Sequence, residues 1–200
     1  MTLFRCSQVH VDSVSVTAPA DSPNTDGINM GNSDHVYISS CSFQTGDDCV
    51  SILSGTTDVN VTNTTCGPGH GIRYNCTTIC VGLQGGMGKA NGFLFENLKM
   101  TAVRIPIDID QFYCPQGNCP TKDGGVSITD ARFVNIHGTS ADKQAIQILC
   151  SQSVPCRGIY LDDVTLYWDK QNSQAQSKVL NAEGTIVGDV VPEVQLGIQQ

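Results

Sequence analysis

The chain has 200 residues, of which 40% are hydrophobic and 15% are charged, with 19 acidic against 11 basic side chains. This apolar content is enough to bury the core of one domain, which excludes a disordered chain. The net charge of -8 argues against a nucleic-acid-binding protein, because such proteins neutralise phosphates with lysine and arginine. No uninterrupted run of about 18 apolar residues occurs, so we predict no membrane-spanning segment.

The cysteine content indicates an oxidising compartment. The chain has 10 cysteines, an even number and a high proportion, which favours disulfide bonds and secretion. Three Asn-X-Thr sequences, at Asn60, Asn63 and Asn75, agree with glycosylation of a secreted protein. The segment Met1–Cys6 lacks the basic and then apolar pattern of a secretory signal. We therefore expect this chain to be a fragment of a secreted protein whose N-terminal part is absent.

Short apolar–polar–apolar triplets recur along the chain, and no helical periodicity extends beyond two turns, which predicts an all-β protein. The first column of triplets is Val9–Val11, Val36–Ile38, Val59–Val61, Phe93–Phe95, Val126–Ile128 and Ile159–Leu161. The second column is Ile28–Met30, Val50–Ile52, Ile72–Tyr74, Ile107–Ile109 and Ile146–Ile148. Successive triplets of the second column start 22, 22, 35 and 39 residues apart.

This repeat of short strands is typical of a parallel β-helix, in which each coil stacks its strands on those of the preceding coil. The alternative is an immunoglobulin-type sandwich, which needs tight hairpin turns between successive strands. Asn-Gly and Asp-Gly pairs are too few for such turns, and Asp26-Gly27 lies at the start of a strand. We predict a partial parallel β-helix over residues 1–168 and a polar loop and C-terminal tail over 169–200, with a strand around Thr185–Val187.

The coil period brings three acidic residues and a histidine together. Asp26, Asp48 and His70 follow one another at intervals of 22 residues and precede three successive triplets of the second column. If 22 residues make one coil, neighbours in this row lie about 4.8 Å apart, with Asp47 beside Asp48. Like charges this close raise one another's pKa, which costs free energy that a purely structural solenoid has no reason to spend.

Three interpretations of this acidic row stay open on residue chemistry. Asp and Asn at turns often hydrogen-bond only their local backbone. Carboxylate clusters also bind Ca²⁺, although that ion takes roughly six or more oxygen ligands and histidine is a poor one. Acid and base chemistry on a glycosidic bond suits the row best, because one carboxyl protonates the leaving oxygen while another activates water.

The residues around the acidic row resemble three of the four characteristic motifs of the polygalacturonases, glycoside hydrolase family 28. These motifs are Asn24–Gly27, Gly46–Asp48 and Gly69–Gly71, and Asp110–Cys114 resembles a later segment of the family. The resemblance extends over residues 1–72 and 84–168 and is greatest to the exo-acting plant and pollen enzymes. It implies a right-handed parallel β-helix of the pectin-lyase-like kind that hydrolyses α-1,4 bonds of polygalacturonate, the backbone of pectin, with inversion.

Roles for the acidic row also follow from this resemblance, position by position. Asp47 matches the general acid, and Asp26 and Asp48 match the pair that holds and activates the attacking water. His70 matches a residue that supports the acid and contacts substrate. The resemblance implies a secreted, monomeric enzyme of the cell wall that acts on pectin and uses no metal ion or cofactor.

Substrate binding is where the sequence departs from the family. The fourth motif, an Arg-Ile-Lys strand whose cations hold the substrate carboxylate, is missing, and the family pattern resumes at Gly85. Asn24 and Tyr113 match substrate-binding positions. Arg73 is a candidate for the missing cation, although an isolated arginine on a strand is usually a solvated surface residue, and the same holds for Arg104.

Loss of the fourth motif supports a second hypothesis. A polyanionic substrate that approaches an acidic row on a chain of net charge -8 needs local positive charge in order to bind. Without that charge, the second hypothesis is that the chain is an inactive pectin-binding or structural β-helix fragment that retains the acidic row.

The cysteines suggest where covalent links lie. Stacked coils would place Cys49 and Cys66 beside the acidic row, and the family resemblance also suggests a bridge between them. Two further pairs are close enough in sequence for local disulfides, namely Cys114 with Cys119 and Cys150 with Cys156.

Overall fold

A computed structural model describes residues 1–75, 89–112, 126–170 and 174–197 of the chain. The described residues form short strands joined by turns, with no helix among them. The strands are β1 (Thr2–Phe4), β2 (Ser7–Asp12), β3 (Ser15–Thr17), β4 (Ile28–Gly31), β5 (Asp34–Ser39), β6 (Ser42–Gln44), β7 (Asp48–Leu53), β8 (Thr57–Thr62), β9 (Thr65–Cys66), β10 (Gly71–Asn75), β11 (Lys89–Val103), β12 (Ile107–Asp110), β13 (Ser127–Ser140), β14 (Gln144–Leu149), β15 (Cys156–Trp168), β16 (Gln176–Leu180) and β17 (Ala182–Val191).

These strands form two parallel sheets that confirm the predicted β-helix. The first sheet has seven strands in the order β1-β4-β7-β10-β12-β14-β16, so each strand pairs with the equivalent strand of the next coil. The second sheet has ten strands, and its longest path runs β2-β5-β8-β11-β13-β15-β17. In the part of the chain that is described, no helix is long and apolar enough to cross a membrane.

The interior is a stack of aliphatic side chains from successive coils. Ile28, Val50, Ile72, Ile107 and Ile146 pair in register across the first sheet, and each is at most 4% exposed. Isoleucine and valine favour this arrangement because branching at Cβ restricts the side chain and packs well on a pleated surface. Burial of one such side chain stabilises the fold by about 1.5–3 kcal/mol. All five triplets of the second column are thus confirmed as equivalent positions.

The first column is confirmed except at its fifth triplet. Phe93 pairs with Ala131, not with the predicted Val126. The chain turns a corner at Asp130, whose φ of 53° lies in the left-handed region, so Ile128 before the corner and Ala131 after it are both buried. The predicted triplet Val126–Ile128 therefore lies before the corner of its coil, and the triplet equivalent to Phe93–Phe95 is Ala131–Phe133.

The structure also differs from the prediction after residue 168. β16 pairs with β14 and β17 pairs with β15, so both sheets continue into the segment predicted as a polar loop and tail. The predicted strand at Thr185–Val187 is confirmed within β17. The segment looks polar because it forms the last described coil, and no residue of β16 is fully buried.

Candidate active site

The acidic row lies at one edge of the first sheet, where three neighbouring strands begin. Asp26 lies two residues before β4, Asp48 is the first residue of β7, and His70 directly precedes β10. The backbone N–H of Gly27 donates to the carbonyl of Asp48 over 2.9 Å, and that of His70 donates to the carbonyl of Asp47 over 2.8 Å. The structure thus brings all four predicted residues together on three adjacent coils.

His70 lies level with Asp47, whereas the 22-residue spacing predicted that it would lie level with Asp48. The register between β7 and β10 shifts by one residue at Gly71, which pairs with Asp48. The next residue, Ile72, pairs with Val50, so Cys49 on β7 is the extra residue, and it lies opposite Gly71, whose φ of 107° favours glycine. As a result, Nδ1 of His70 is 2.8 Å from Oδ1 of Asp47 and 3.7 Å from Oδ1 of Asp48.

Backbone groups hold the Asp47 carboxylate in place. Its Oδ2 accepts a hydrogen bond from the N–H of Asn24 over 3.0 Å, and its Oδ1 accepts one from the N–H of Asp48 over 3.0 Å. The Asp47 side chain is 20% exposed, so it is open to solvent while its orientation is fixed. The exposed Asn24 also lines, with Asp26, an open polar cavity of about 240 Å³. This places Asn24 beside the site, and its contact with substrate stays a prediction.

Gly46 allows the second motif to pack closely against the first. Its N–H donates to Oγ1 of Thr25 over 3.0 Å, and a Cβ added at Gly46 would lie 2.1 Å from the carbonyl oxygen of Ser22. Position 46, directly before Asp47, therefore requires glycine.

Gly46→Ala is expected to destabilise the chain by about 3 kcal/mol, because two backbone segments must separate to admit the methyl group. Gly31→Ala is the matched control, since a Cβ there would meet side-chain atoms of Phe4 and Leu53 no closer than 3.4 Å. Its effect should stay within about 1 kcal/mol. Urea unfolding measures both variants, and equal losses of stability would contradict this packing argument.

Asp48 is the acid most strongly perturbed by its surroundings. Burial raises its pKa to about 7; Arg73 opposes this shift, and the negative charges of Asp26, Asp47 and Asp108 add to it. Burial, and then the charge of Asp47, also raises the pKa of Asp26. The acidic row therefore retains a proton at pH values where an isolated aspartic acid has lost it.

Stability is expected to fall as the pH rises from about 4 to about 7. In this window the folded chain holds a proton at Asp48 that the unfolded chain has released, so raising the pH favours unfolding. The raised pKa corresponds to an effect on the order of 4 kcal/mol, and Asp26 contributes with the same sign.

Asp48→Asn should therefore flatten the dependence of the unfolding free energy on pH between about 4 and 7. Asp34→Asn is the control, because hydrogen bonds from His35 and Ser7 lower the pKa of Asp34 and move its effect to more acidic pH. Urea unfolding at several pH values measures the slope. A slope that Asp48→Asn leaves unchanged would show that Asp48 is not the buried proton site.

Arg73 is buried at 6% exposure, so the expectation of a solvated surface residue is wrong. Its Nη1 lies 3.2 Å from Oδ1 of Asp48, and its Nε donates to Oδ2 of Asp108 over 3.0 Å. Gln147 Nε2 donates to the other carboxylate oxygen of Asp108, also over 3.0 Å. The cation thus lies inside the site between two carboxylates, and its predicted contact with substrate stays a prediction.

Asp108 and Gln147 are site residues that the sequence analysis did not identify. They are the middle residues of two triplets of the second column, and Asp108 pairs in register with Arg73 on one side and Gln147 on the other. Comparison of the middle residues down the column would have placed the arginine beside the aspartate.

Two of the predicted disulfides are present. Cys49 in β7, directly after Asp48, bonds to Cys66 at the end of β9, four residues before His70. Cys150 bonds to Cys156 and links the end of β14 to the start of β15. The predicted pair Cys114 and Cys119, like the predicted substrate residue Tyr113, lies outside the described residues.

Arg104 lies next to the histidine motif. Its backbone N–H donates to the carbonyl of Gly69 over 2.7 Å, so it is one strand spacing from His70. Its side chain is 55% exposed and pairs with Asp142 over 3.1 Å. Among the described residues it is an exposed cation on the coil that follows the acidic row.

The donor set of the acidic row does not fit a calcium ion. Asp47, Asp48 and His70 offer ligand atoms within 4.8 Å of one another. Two carboxylates and an imidazole fall short of the roughly six oxygen ligands that Ca²⁺ takes. In addition, the Arg73 guanidinium lies 3.2 Å from Asp48 and would repel a second cation there.

Comparison with known proteins agrees with this geometry. A sequence profile of the family described as Glycosyl hydrolases family 28 matches residues 1–78 and 79–185. The chain belongs to this family. Its relatives include an exopolygalacturonase from Zea mays, 38% identical over 94% of this chain and 53% of the relative. A polygalacturonase from Malus domestica is 39% identical over 94% of this chain and 45% of the relative.

The structural comparison supports the fold. The solved polygalacturonase from Erwinia carotovora ssp. carotovora matches with a TM-score of 0.57 and 20% sequence identity, over 94% of this chain and 53% of that structure. At this identity the likeness concerns the fold alone. The family 28 chain described here spans about half the length of the curated relatives it matches.

Proposed function

We propose that this chain is a polygalacturonase that hydrolyses α-1,4-galacturonosidic bonds in pectin or polygalacturonate with inversion. The observation that carries the proposal is the convergence of Asp26, Asp47, Asp48 and His70 on three adjacent coils beside an open polar cavity. Membership of family 28 and the names of the relatives, polygalacturonase and exopolygalacturonase, support the substrate class.

Asp47 is the general acid in this proposal. It is the carboxyl group whose orientation two backbone N–H groups fix while its side chain stays partly exposed. In the protonated form it donates its proton to the leaving glycosidic oxygen. That proton stays on the product hydroxyl, and Nδ1 of His70, 2.8 Å from Oδ1, is close enough to give Asp47 a new proton for the next cycle.

Asp26 and Asp48 hold and activate the attacking water. Oδ1 of Asp48 lies 3.2 Å from Nη1 of Arg73 and 3.7 Å from Nδ1 of His70, so this carboxylate is held beside the general acid. Removal of a proton from water requires the ionised form of Asp48; burial raises the pKa of Asp48 to about 7, and the Arg73 guanidinium opposes this shift, so water activation by Asp48 increases toward neutral pH. Oδ2 of Asp26 accepts a hydrogen bond from Asn29, which orients this second carboxylate.

Substrate binding involves Asn24, Tyr113 and a cation. Asn24 lines the open cavity beside Asp26. The galacturonate carboxylate needs positive charge near the acidic row, and Arg104 supplies an exposed guanidinium on the next coil, while Arg73 is buried against Asp48. The two disulfides agree with a secreted protein of the cell wall, and we propose that it acts as a monomer.

The second candidate function is pectin binding without hydrolysis. β10 pairs directly with β12, so among the described residues the first sheet has no strand between them, where the Arg-Ile-Lys motif would follow the histidine motif. Loss of a charged substrate clamp reduces binding by about 2–5 kcal/mol. This observation favours a β-helix that keeps the acidic row without turnover.

Release of reducing ends from de-esterified polygalacturonate, measured across acidic and neutral pH, distinguishes the two candidates. The unmodified chain should produce new reducing ends, and a neutral polysaccharide should stay intact. A second protein, in which an Arg-Ile-Lys coil is inserted into residues 76–88, serves as comparison. Folded protein that binds the polymer without cleavage, and gains cleavage on insertion, would support the non-catalytic candidate.

A further inference from the structure

A line of polar side chains crosses the first sheet through the site. Ser51, Arg73, Asp108 and Gln147 pair in register on β7, β10, β12 and β14. Each is the middle residue of a triplet whose outer residues fill the core, so the four share the opposite face and lie about 4.8 Å apart from strand to strand. Arg73 is 6% exposed and Asp108 is 3% exposed, so two opposite charges are buried side by side.

Hydrogen bonds connect this line to the acidic row. Gln147 Nε2 donates to Oδ1 of Asp108 over 3.0 Å, and Arg73 Nε donates to Oδ2 of Asp108 over 3.0 Å. Each oxygen of Asp108 therefore has a donor that fixes the plane of the carboxylate. With Nε held by Asp108, the planar guanidinium places Nη1 3.2 Å from Oδ1 of Asp48.

We propose that Asp108, oriented by Gln147, is a positioning residue that holds the Arg73 guanidinium against Asp48 during hydrolysis. This inference rests on the proposed function. Asp108 touches neither substrate nor water in this account, and it acts through Arg73. Asp108 and Arg73 therefore adjust the charge balance of the water-activating carboxylate, Asp48.

The two charges act on Asp48 in opposite directions. The positive charge of Arg73 favours the ionised carboxylate and lowers the pKa of Asp48, while the negative charge of Asp108 raises it. The other charged groups around the network are Asp26, Asp47 and His70 near Asp48, Asp110 near Asp108, and Lys178, which acts on Asp110 and pairs in register with Gln147. These groups are unchanged in the variants below, so differences between the variants report on Arg73 and Asp108.

The acidic limb of the pH profile of kcat tests the inference, because Asp48 must be ionised to activate water. Asp108→Asn keeps one acceptor for Arg73 and removes the charge, so it should move the limb to lower pH by roughly one unit. Asp108→Ala removes both acceptors and frees the Arg73 guanidinium from Asp48, so its limb should lie at higher pH than that of Asp108→Asn. Arg73→Gln should move the limb to higher pH by a similar amount. The double variant should lie closer to the unmodified chain than Arg73→Gln does.

Other roles for these residues give different results. If the pair is merely structural, the variants lose stability and kcat without moving the limb. If Arg73 holds the substrate carboxylate, Arg73→Gln raises KM and leaves the limb in place. Either result overturns the positioning role. If Arg73→Gln does not fold, the two Asp108 variants decide the test, since the limb of Asp108→Ala must lie at higher pH than that of Asp108→Asn; coincident limbs overturn the positioning role.

A direct titration separates this inference from the proposed function. Protein labelled with ¹³C at aspartate carboxyls, with the Asp48 resonance assigned from Asp48→Asn, should show the same opposite displacements of its midpoint without substrate. Unmoved midpoints in a chain that hydrolyses polygalacturonate overturn the positioning role alone. Displaced midpoints in a folded chain that never hydrolyses overturn the proposed function and leave the coupling of Asp108 to Asp48 standing.

Discussion

Asp47→Asn is expected to reduce the release of reducing ends from polygalacturonate by roughly 10²–10⁴-fold. Asparagine keeps the size of the side chain and one of the two acceptor oxygens that the N–H groups of Asn24 and Asp48 use, so urea unfolding checks that the variant folds. It has no acidic proton to give to the leaving glycosidic oxygen, and that step carries most of the contribution of a general acid. Initial rates on de-esterified polygalacturonate measure the effect.

The matched control is Asp130→Asn in β13, a strand of the second sheet. Asp130 has a φ of 53°, which asparagine also adopts, so this variant should fold and keep its activity. An Asp47→Asn protein that retains more than about a tenth of the activity would contradict the assignment of the acid. The proton would then come from Asp48, whose pKa burial raises to about 7.

Arg73→Met is expected to destabilise the chain by about 3–5 kcal/mol at neutral pH. Arg73 is the cation between the buried carboxylates of Asp48 and Asp108, and its loss leaves both without their counter-charge. The loss should shrink as the pH falls, because protonation removes the uncompensated charges. Urea unfolding at neutral and acidic pH measures both quantities.

Arg157→Met is the control for this prediction. Arg157 also pairs with a carboxylate across neighbouring strands, Glu183, over 3.1 Å, but its side chain is 51% exposed. Exposed pairs of this kind contribute about 1 kcal/mol or less. If Arg73→Met and Arg157→Met lower stability equally, the Arg73 pair has no special structural importance.

Much of the fold was predictable because a solenoid repeats one signal. The triplets Ile28–Met30 to Ile146–Ile148 each place two apolar side chains inward, and their equivalence survives loops of different length between them. The error at Val126–Ile128 arose where a strand continues around a corner at Asp130. A residue in the left-handed conformation, such as Asp130, changes which of its neighbours face inward, and the alternation of apolar and polar residues does not reveal that change.

The candidate site was predictable to the extent that spacing determines it. Intervals of 22 residues placed Asp26, Asp48 and His70 on adjacent coils. The shift of His70 toward Asp47 arises from one extra residue, Cys49, on β7 opposite Gly71, and residue counting does not reveal such an irregularity. The burial of Arg73 depends on its partner Asp108, which lies 35 residues away in sequence.

The most direct test of the proposed activity is ¹H NMR of the unmodified chain acting on a short, de-esterified oligogalacturonate. Inversion at an α-linkage predicts that the first new reducing ends appear as the β-anomer, before mutarotation, and that Asp47→Asn produces none above background. A folded chain that releases no new reducing ends would contradict hydrolysis by the acidic row. Initial release of the α-anomer would contradict a single displacement by water held at Asp26 and Asp48.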